Sequence, residues 1–180
     1  MKAILREELS ESVEFVDRPE GAPVEETGTT LEENARLKAA ALDLSPGEAA
    51  VAEDTGLEVG SLGGAPGVRS ARFSGENATY AENVAKLLTV LEDKTDRHAT
   101  FRTVAICRLP SGAEIVEEGV IEGEIVEAPR GDNGFGYDPV FAPAGGDGRT
   151  FAEMSPAEKR QLSHRGLALR SLAARLREQL

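Results

Sequence analysis

Two β-rich runs, Thr100 to Leu109 and Glu114 to Glu127, stand on either side of Gly112, and this pairing limits the chain's fold more than any other feature. A glycine between two such runs predicts a hairpin, and hence a sheet with two long neighbouring strands. Ala49 to Ala52, Pro139 to Ala142 and a short Val13 to Val16 run are expected to add further strands. Helical signals lie between these runs. Ile4, Leu5 and Leu9 recur at helical spacing, and Thr30 with Glu33 forms a capping box ahead of Leu31, Ala35, Ala39 and Leu42. Thr79 with Glu82 opens a third helix through Val84, Leu87, Leu88 and Leu91. Ser155, Pro156 and Glu158 open a last one, read as continuous through Leu162, Leu169, Leu172 and Leu176. Strands and helices interleave without a strict βαβ rhythm. The expectation is an α/β fold with a mixed sheet flanked by helices, residues 1–180 forming one domain.

The 180 residues suffice for one sizeable core, and no apolar run approaches the roughly 20 residues a membrane span needs. The first residues turn charged at once and offer no apolar leader, so a cytoplasmic protein with no membrane partner is expected. A net charge of −12 repels a phosphate backbone and argues against nucleic acid as a partner. It leaves room for a single nucleotide in a local pocket. Cys107 is the only cysteine, and its apolar neighbours predict a buried thiol.

Four polar clusters fall beside helix starts or glycine loops. Glu25-Glu26-Thr27-Gly28 leads into the helix bearing Asn34 and Lys38. The acids suit a metal, or merely the helix dipole, and the lysine lies close to the apolar face, from which it could snorkel. Glu53-Asp54-Thr55-Gly56 follows an apolar strand. Carboxylates there can hold Mg²⁺ and activate a water, or simply form a turn. Gly131 to Pro139 sets Phe135 and Tyr137 among glycines, where the backbone can approach a ligand and an aromatic ring can meet a flat base. Lys159 with Ser163-His164-Arg165-Gly166 offers donors for carbonyl or phosphate oxygens, or a solvated helix face.

In this order and spacing, these blocks make the chain resemble the inosine/xanthosine triphosphate pyrophosphatase family over residues 22–178. Gly63-Gly64-Ala65-Pro66-Gly67 and Ser70-Ala71-Arg72-Phe73 add to the match. The resemblance implies Mg²⁺-dependent cleavage of non-canonical purine nucleoside triphosphates to monophosphate and pyrophosphate by a homodimer. It implies Asp54 as proton acceptor and metal ligand, an acid of the Glu25/Glu26 pair completing the metal site, and Lys38 steadying phosphate charge. Thr55 would touch substrate, Phe135, Gly136, Tyr137 and Asp138 would hold base and sugar, and Lys159, His164 and Arg165 would line the base pocket. Family members open with an apolar strand and a Thr/Ser-x-Asn-x-x-Lys loop, whereas Met1 to Leu9 reads as the helix after that loop. A nucleotide-binding protein of the same fold with weak turnover is therefore the alternative expectation.

Overall fold

The computed structural model describes residues 1–9, 13–16 and 24–179. Among them are five α-helices: α1 (Lys2–Leu9), α2 (Leu31–Ala40), α3 (Tyr80–Val90), α4 (Pro156–Leu162) and α5 (His164–Arg177). Five strands, β1 (Ala50–Val59), β2 (Pro66–Gly67), β3 (His98–Arg108), β4 (Glu114–Ile125) and β5 (Phe141–Pro143), form one sheet in the order β2-β1-β3-β4-β5. The β1/β2 and β4/β5 pairs are antiparallel. So is the expected hairpin of β3 and β4, because its short connection at Gly112 is far below the dozen residues a parallel crossover needs. The fold is thus α/β, with more antiparallel pairing than the interleaved elements suggested. The three capping boxes at Thr30, Thr79 and Ser155 form as expected, each hydroxyl accepting the backbone N–H three residues on.

Four expectations are corrected. Strand β1 does not stop at Ala52 but continues to Val59, so Glu53, Asp54 and Thr55 lie within a strand and not in a turn. Val13 to Val16 forms no strand and pairs with none in the sheet, whose edges are β2 and β5. Apolar β-branched residues suit a strand only where a partner offers a pleated surface. Pro139 to Ala142 divides between a single 3₁₀ turn, Asp138–Val140, and β5. The final helix is two helices. Ser163 takes extended dihedrals (φ −73°, ψ 152°) that end α4, and its N–H closes on Lys159 O at 2.8 Å. Periodicity reports which face is apolar but cannot register one extended residue, and extended backbone before a helix is N-cap geometry that serine favours. Leu162 consequently leaves the stripe and is 45% exposed, while Leu169, Leu172 and Leu176 are buried.

The chain divides into two compact units, and the division falls inside β1, β3 and β4, which run unbroken from one to the other. The first comprises Met1–Asp54, Thr103–Gly119 and His164–Leu180. Its core joins Ile4, Leu5 and Leu9 of α1 to Leu169, Leu172, Ala173 and Leu176 of α5, over Ala105 and Cys107 of β3. Burial pushes the Cys107 thiol up to about 11. Since only the thiolate reacts, labelling by a thiol reagent at pH 8 is expected to be at least a hundredfold slower in the native chain than in urea, roughly the change from a free thiol's pKa plus lost access. Native labelling at the unfolded rate would contradict this burial.

The second unit comprises Thr55–Arg102 and Val120–Ser163. Here Leu57 and Val59 of β1 pack with Val84, Leu87 and Leu91 and with a cluster of phenylalanines. Phe141 meets Phe101 edge-on at 4.7 Å between centroids and lies 5.2 Å from Phe151. The Arg97 guanidinium donates to Leu91 O, Ile125 O and Val126 O at 2.9, 2.6 and 3.1 Å, which ties the end of α3 to the end of β4.

Candidate active site

Two polar centres emerge, one in each unit. The first forms because β1 alternates. Ala50, Ala52 and Asp54 share the buried side, while Val51, Glu53 and Thr55 are half-buried on the other. Asp54 is only 8% exposed. It is met by two residues of α2 spaced i, i+4: Asn34 Nδ2 donates to Asp54 Oδ2 at 3.3 Å, and Lys38 Nζ to Asp54 Oδ1 at 2.6 Å. Lys38 Nζ also donates to Glu53 O at 3.1 Å and lies 2.8 Å from Glu26 Oε1. An ammonium has three protons, and all three are used. Lys38 therefore turns inward to a carboxylate cluster and does not snorkel to water.

The electrostatics follow from this crowding. Burial pushes the Asp54 carboxyl up, with Glu26 adding to the effect, against the opposing hydrogen bond and charge of Lys38. Burial also works against the Lys38 ammonium, but its hydrogen bonds to Asp54 and Glu26 outweigh that and hold its pKa above the ordinary lysine value. Two carboxylates thus share one cation in a partly buried place, an excess of negative charge. The segment before α2 separates the Glu25/Glu26 pair: Glu26 turns toward Lys38, whereas Glu25 is exposed. On the other side of β1, Arg165 Nε lies 2.7 and 2.9 Å from the two Glu53 oxygens. His164, at the start of α5, is buried in the same unit.

The second centre is the Gly131 to Pro139 loop. Asp138 is buried, its Oδ2 accepts the Phe135 N–H at 2.7 Å, and the same oxygen holds the Lys159 ammonium. Gly134 makes that possible: its φ is +79°, and a Cβ there would stand 2.0 Å from Asp138 Oδ2. Lys159 Nζ sits 4.6 Å over the Phe135 ring and 5.6 Å over Phe151, a cation–π arrangement that leaves Phe135 46% exposed. Tyr137 is turned inward, its hydroxyl donating to Ser70 O at 2.9 Å, while Gly136 supplies a turn at φ 62°. Ser70 Oγ in turn donates to Gly67 O and accepts the Leu57 N–H.

Sequence reading grouped Lys159, His164 and Arg165. The structure brings Lys159 to Asp138 and Phe135 in the second unit, and Arg165 to Glu53 in the first. Thr55 follows Asp54 on β1, half-buried. Two residues given no role from sequence matter here. Asn34 is fully buried and bridges Gly28 N, at 2.8 Å, to Asp54, and its place four residues before Lys38 was the available signal. Ser70 had only the Ser-Ala-Arg-Phe block to mark it.

Fold and centres together define an α/β protein with a buried carboxylate–ammonium centre on a strand and an aromatic–ammonium centre on a glycine loop. The chain belongs to the Ham1 family, whose pattern residues 1–175 match. A dITP/XTP pyrophosphatase of Streptococcus agalactiae is 50% identical over 159 residues, which make up 87% of this chain and 49% of that protein. A dITP/XTP pyrophosphatase of Syntrophobacter fumaroxidans is 52% identical over 151 residues, 83% of this chain and 64% of that protein. The chain thus spans about half of the first of these relatives and just under two thirds of the second. Among solved structures, a HAM1 protein from Coxiella burnetii superposes with a TM-score of 0.86 at 42% identity, over 98% of this chain and 92% of that one. Among the described residues no helix is long and apolar enough to cross a membrane.

Proposed function

We propose that this chain hydrolyses non-canonical purine nucleoside triphosphates, (d)ITP and (d)XTP, to the monophosphate and pyrophosphate, with Mg²⁺ as cofactor. The observation that carries the reading is Asp54, a buried carboxylate on a strand, held between Asn34 and Lys38 with Glu26 on the same ammonium. The relatives' names supply the substrate class.

In this reading Asp54 Oδ takes a proton from a water whose oxygen attacks the α-phosphorus. The α–β anhydride bond breaks and pyrophosphate leaves. Burial supports that role because it raises the carboxyl's affinity for the proton it must accept. Lys38, kept charged by its two carboxylates, offsets phosphate charge. The donor set fits Mg²⁺: Asp54 and Glu26, drawn together on the Lys38 ammonium, offer hard carboxylate oxygens. Mg²⁺ is usually held by one or two carboxylates together with substrate phosphates. When bound it would neutralise charge on the phosphates. Base selection is assigned to Lys159, whose donors match the 6-oxo group of hypoxanthine and xanthine and not the 6-amino group of adenine. Leaving that mismatch buried costs roughly 1–3 kcal/mol. Residues 1–180 are taken as one functional domain because three strands run through both units. A cytoplasmic homodimer is part of the same reading, on the resemblance alone.

The test is pyrophosphate release from ITP, XTP, GTP and ATP with Mg²⁺. Preference for ITP and XTP is expected, and equal cleavage of all four, or of none, would reject the reading. The Glu25/Glu26 choice is separable. Glu26→Gln is expected to raise the Mg²⁺ concentration for half-maximal activity about tenfold and to shrink the Mg²⁺-dependent rise in Tm, the size of change expected on losing one ligand-shell group. Glu25→Gln should leave both unchanged, and the reverse pattern would move the assignment to Glu25.

A further inference from the structure

Tyr80 is the first residue of α3 and is 58% exposed, with its ring outside the core of its unit. The backbone that carries it is firmly held. Thr79 and Glu82 cap the helix reciprocally, the Asn83 side chain accepts the Ser74 N–H at 2.7 Å and donates to Ala71 O at 2.9 Å, and Lys86 donates to Phe73 O. The Tyr80 ring is therefore presented by a rigid helix start. Its centroid lies 6.2 Å from that of Phe135 at an interplanar angle of 43°. Both rings are about half in water, in a chain with no Trp, two Tyr and six Phe. Beside them the Lys159 ammonium, anchored by Asp138, lies over Phe135. Tilted rings at this spacing form an open aromatic corner next to a fixed donor. A flat heteroaromatic ring with a carbonyl at its edge suits such a corner, because stacking covers the exposed ring faces while the ammonium meets the oxygen.

We propose that Tyr80 is a base-contacting residue, forming with Phe135 the aromatic corner against which the purine packs, so that base recognition extends to the start of α3. This rests on the purine triphosphate reading above. It assigns to Tyr80 binding of the base, with no part in the chemical step.

The test measures kcat and KM for ITP in the wild type, Tyr80→Phe and Tyr80→Ala, together with inhibition by inorganic tripolyphosphate, which has no base. Tyr80→Ala is expected to raise KM about tenfold, as loss of a base-stacking ring does. Its kcat should stay within about twofold and its tripolyphosphate inhibition unchanged, while Tyr80→Phe behaves as wild type. Thermal melting checks the fold, and if Tyr80→Ala melts early, Tyr80→Gln replaces it as the ringless variant. An unchanged KM in the ringless variant overturns the proposal. So does an equal weakening of tripolyphosphate inhibition, since a base contact cannot act on a ligand without a base. A wild type that cleaves none of the triphosphates rejects the function itself, and the role of Tyr80 falls with it. A wild type that cleaves ITP while the ringless variant keeps its KM rejects Tyr80 alone.

Discussion

Replacing Asp54 by Asn is expected to lower pyrophosphate release from ITP by a factor of about 10²–10⁴, the range that a positioned general base contributes. Asn has nearly the same shape as Asp and fits the same place on the buried side of β1 with its oxygen toward Lys38, at the loss of the Asn34 hydrogen bond, but it cannot accept the water's proton. The fold has reason to survive. Lys38 keeps Glu26 and Glu53 O as acceptors, so no buried ammonium is stranded. A carboxyl whose ionised form burial disfavours is also exchanged for a neutral group. Steady-state release and thermal melting measured on the same preparation check both halves. A variant that folds as wild type yet keeps more than about a tenth of the activity would remove Asp54 from the role of proton acceptor.

Gly119→Ala is expected to have the largest effect on stability, about 3 kcal/mol, at the upper end of the usual cost of overpacking a core. Gly119 is buried in β4, and a Cβ there would stand 2.0 Å from His164 O and 2.5 Å from Ala168 N. Both are backbone atoms of the first turns of α5, so no flexible side chain can swing aside, and either the strand or the helix must shift. For a chain of this length the cost corresponds to a fall in Tm of roughly 6–12 °C. Gly112 is the control. It sits in the hairpin turn at φ +84° with open space around it, so Ala there meets backbone strain but no clash and should cost only about 1 kcal/mol. Equal melting of the two variants would contradict the close approach of α5 to β4. Because Arg165 lies in that same turn of α5, the Gly119 variant should also loosen the Arg165–Glu53 pair.

Much of this is legible in the sequence. The three capping boxes are local, each hydroxyl reaching a backbone N–H three residues away, and the β3/β4 hairpin is set by Gly112 and the runs beside it. Such features depend on neighbours in the chain, so a sequence reading reaches them. The extent of β1 was not legible. Glu53-Asp54-Thr55 has the polarity of a turn, and only the cover given to Asp54 by Asn34 and Lys38 makes it a tolerable strand interior. The break at Ser163 was hidden for the same kind of reason: the apolar spacing on either side reads as one helix.

For the site, the sequence alone marked the residue types and their order: a carboxylate pair, a lysine on α2, an aromatic glycine loop, and basic groups near the end of the chain. Their partners were decided by tertiary structure. The Glu25/Glu26 choice, the three acceptors of Lys38, the pairing of Arg165 with Glu53 and of Lys159 with Asp138, and the inward turn of Tyr137 all depend on residues between 12 and 112 positions apart being brought to within about 3 Å. Spacing along a chain carries direction only over the few residues of one helical turn or one strand alternation. Whether a charge is buried and what neutralises it is set by the packing of separate elements, and burial is what turns Asp54 from a surface acid into a candidate base.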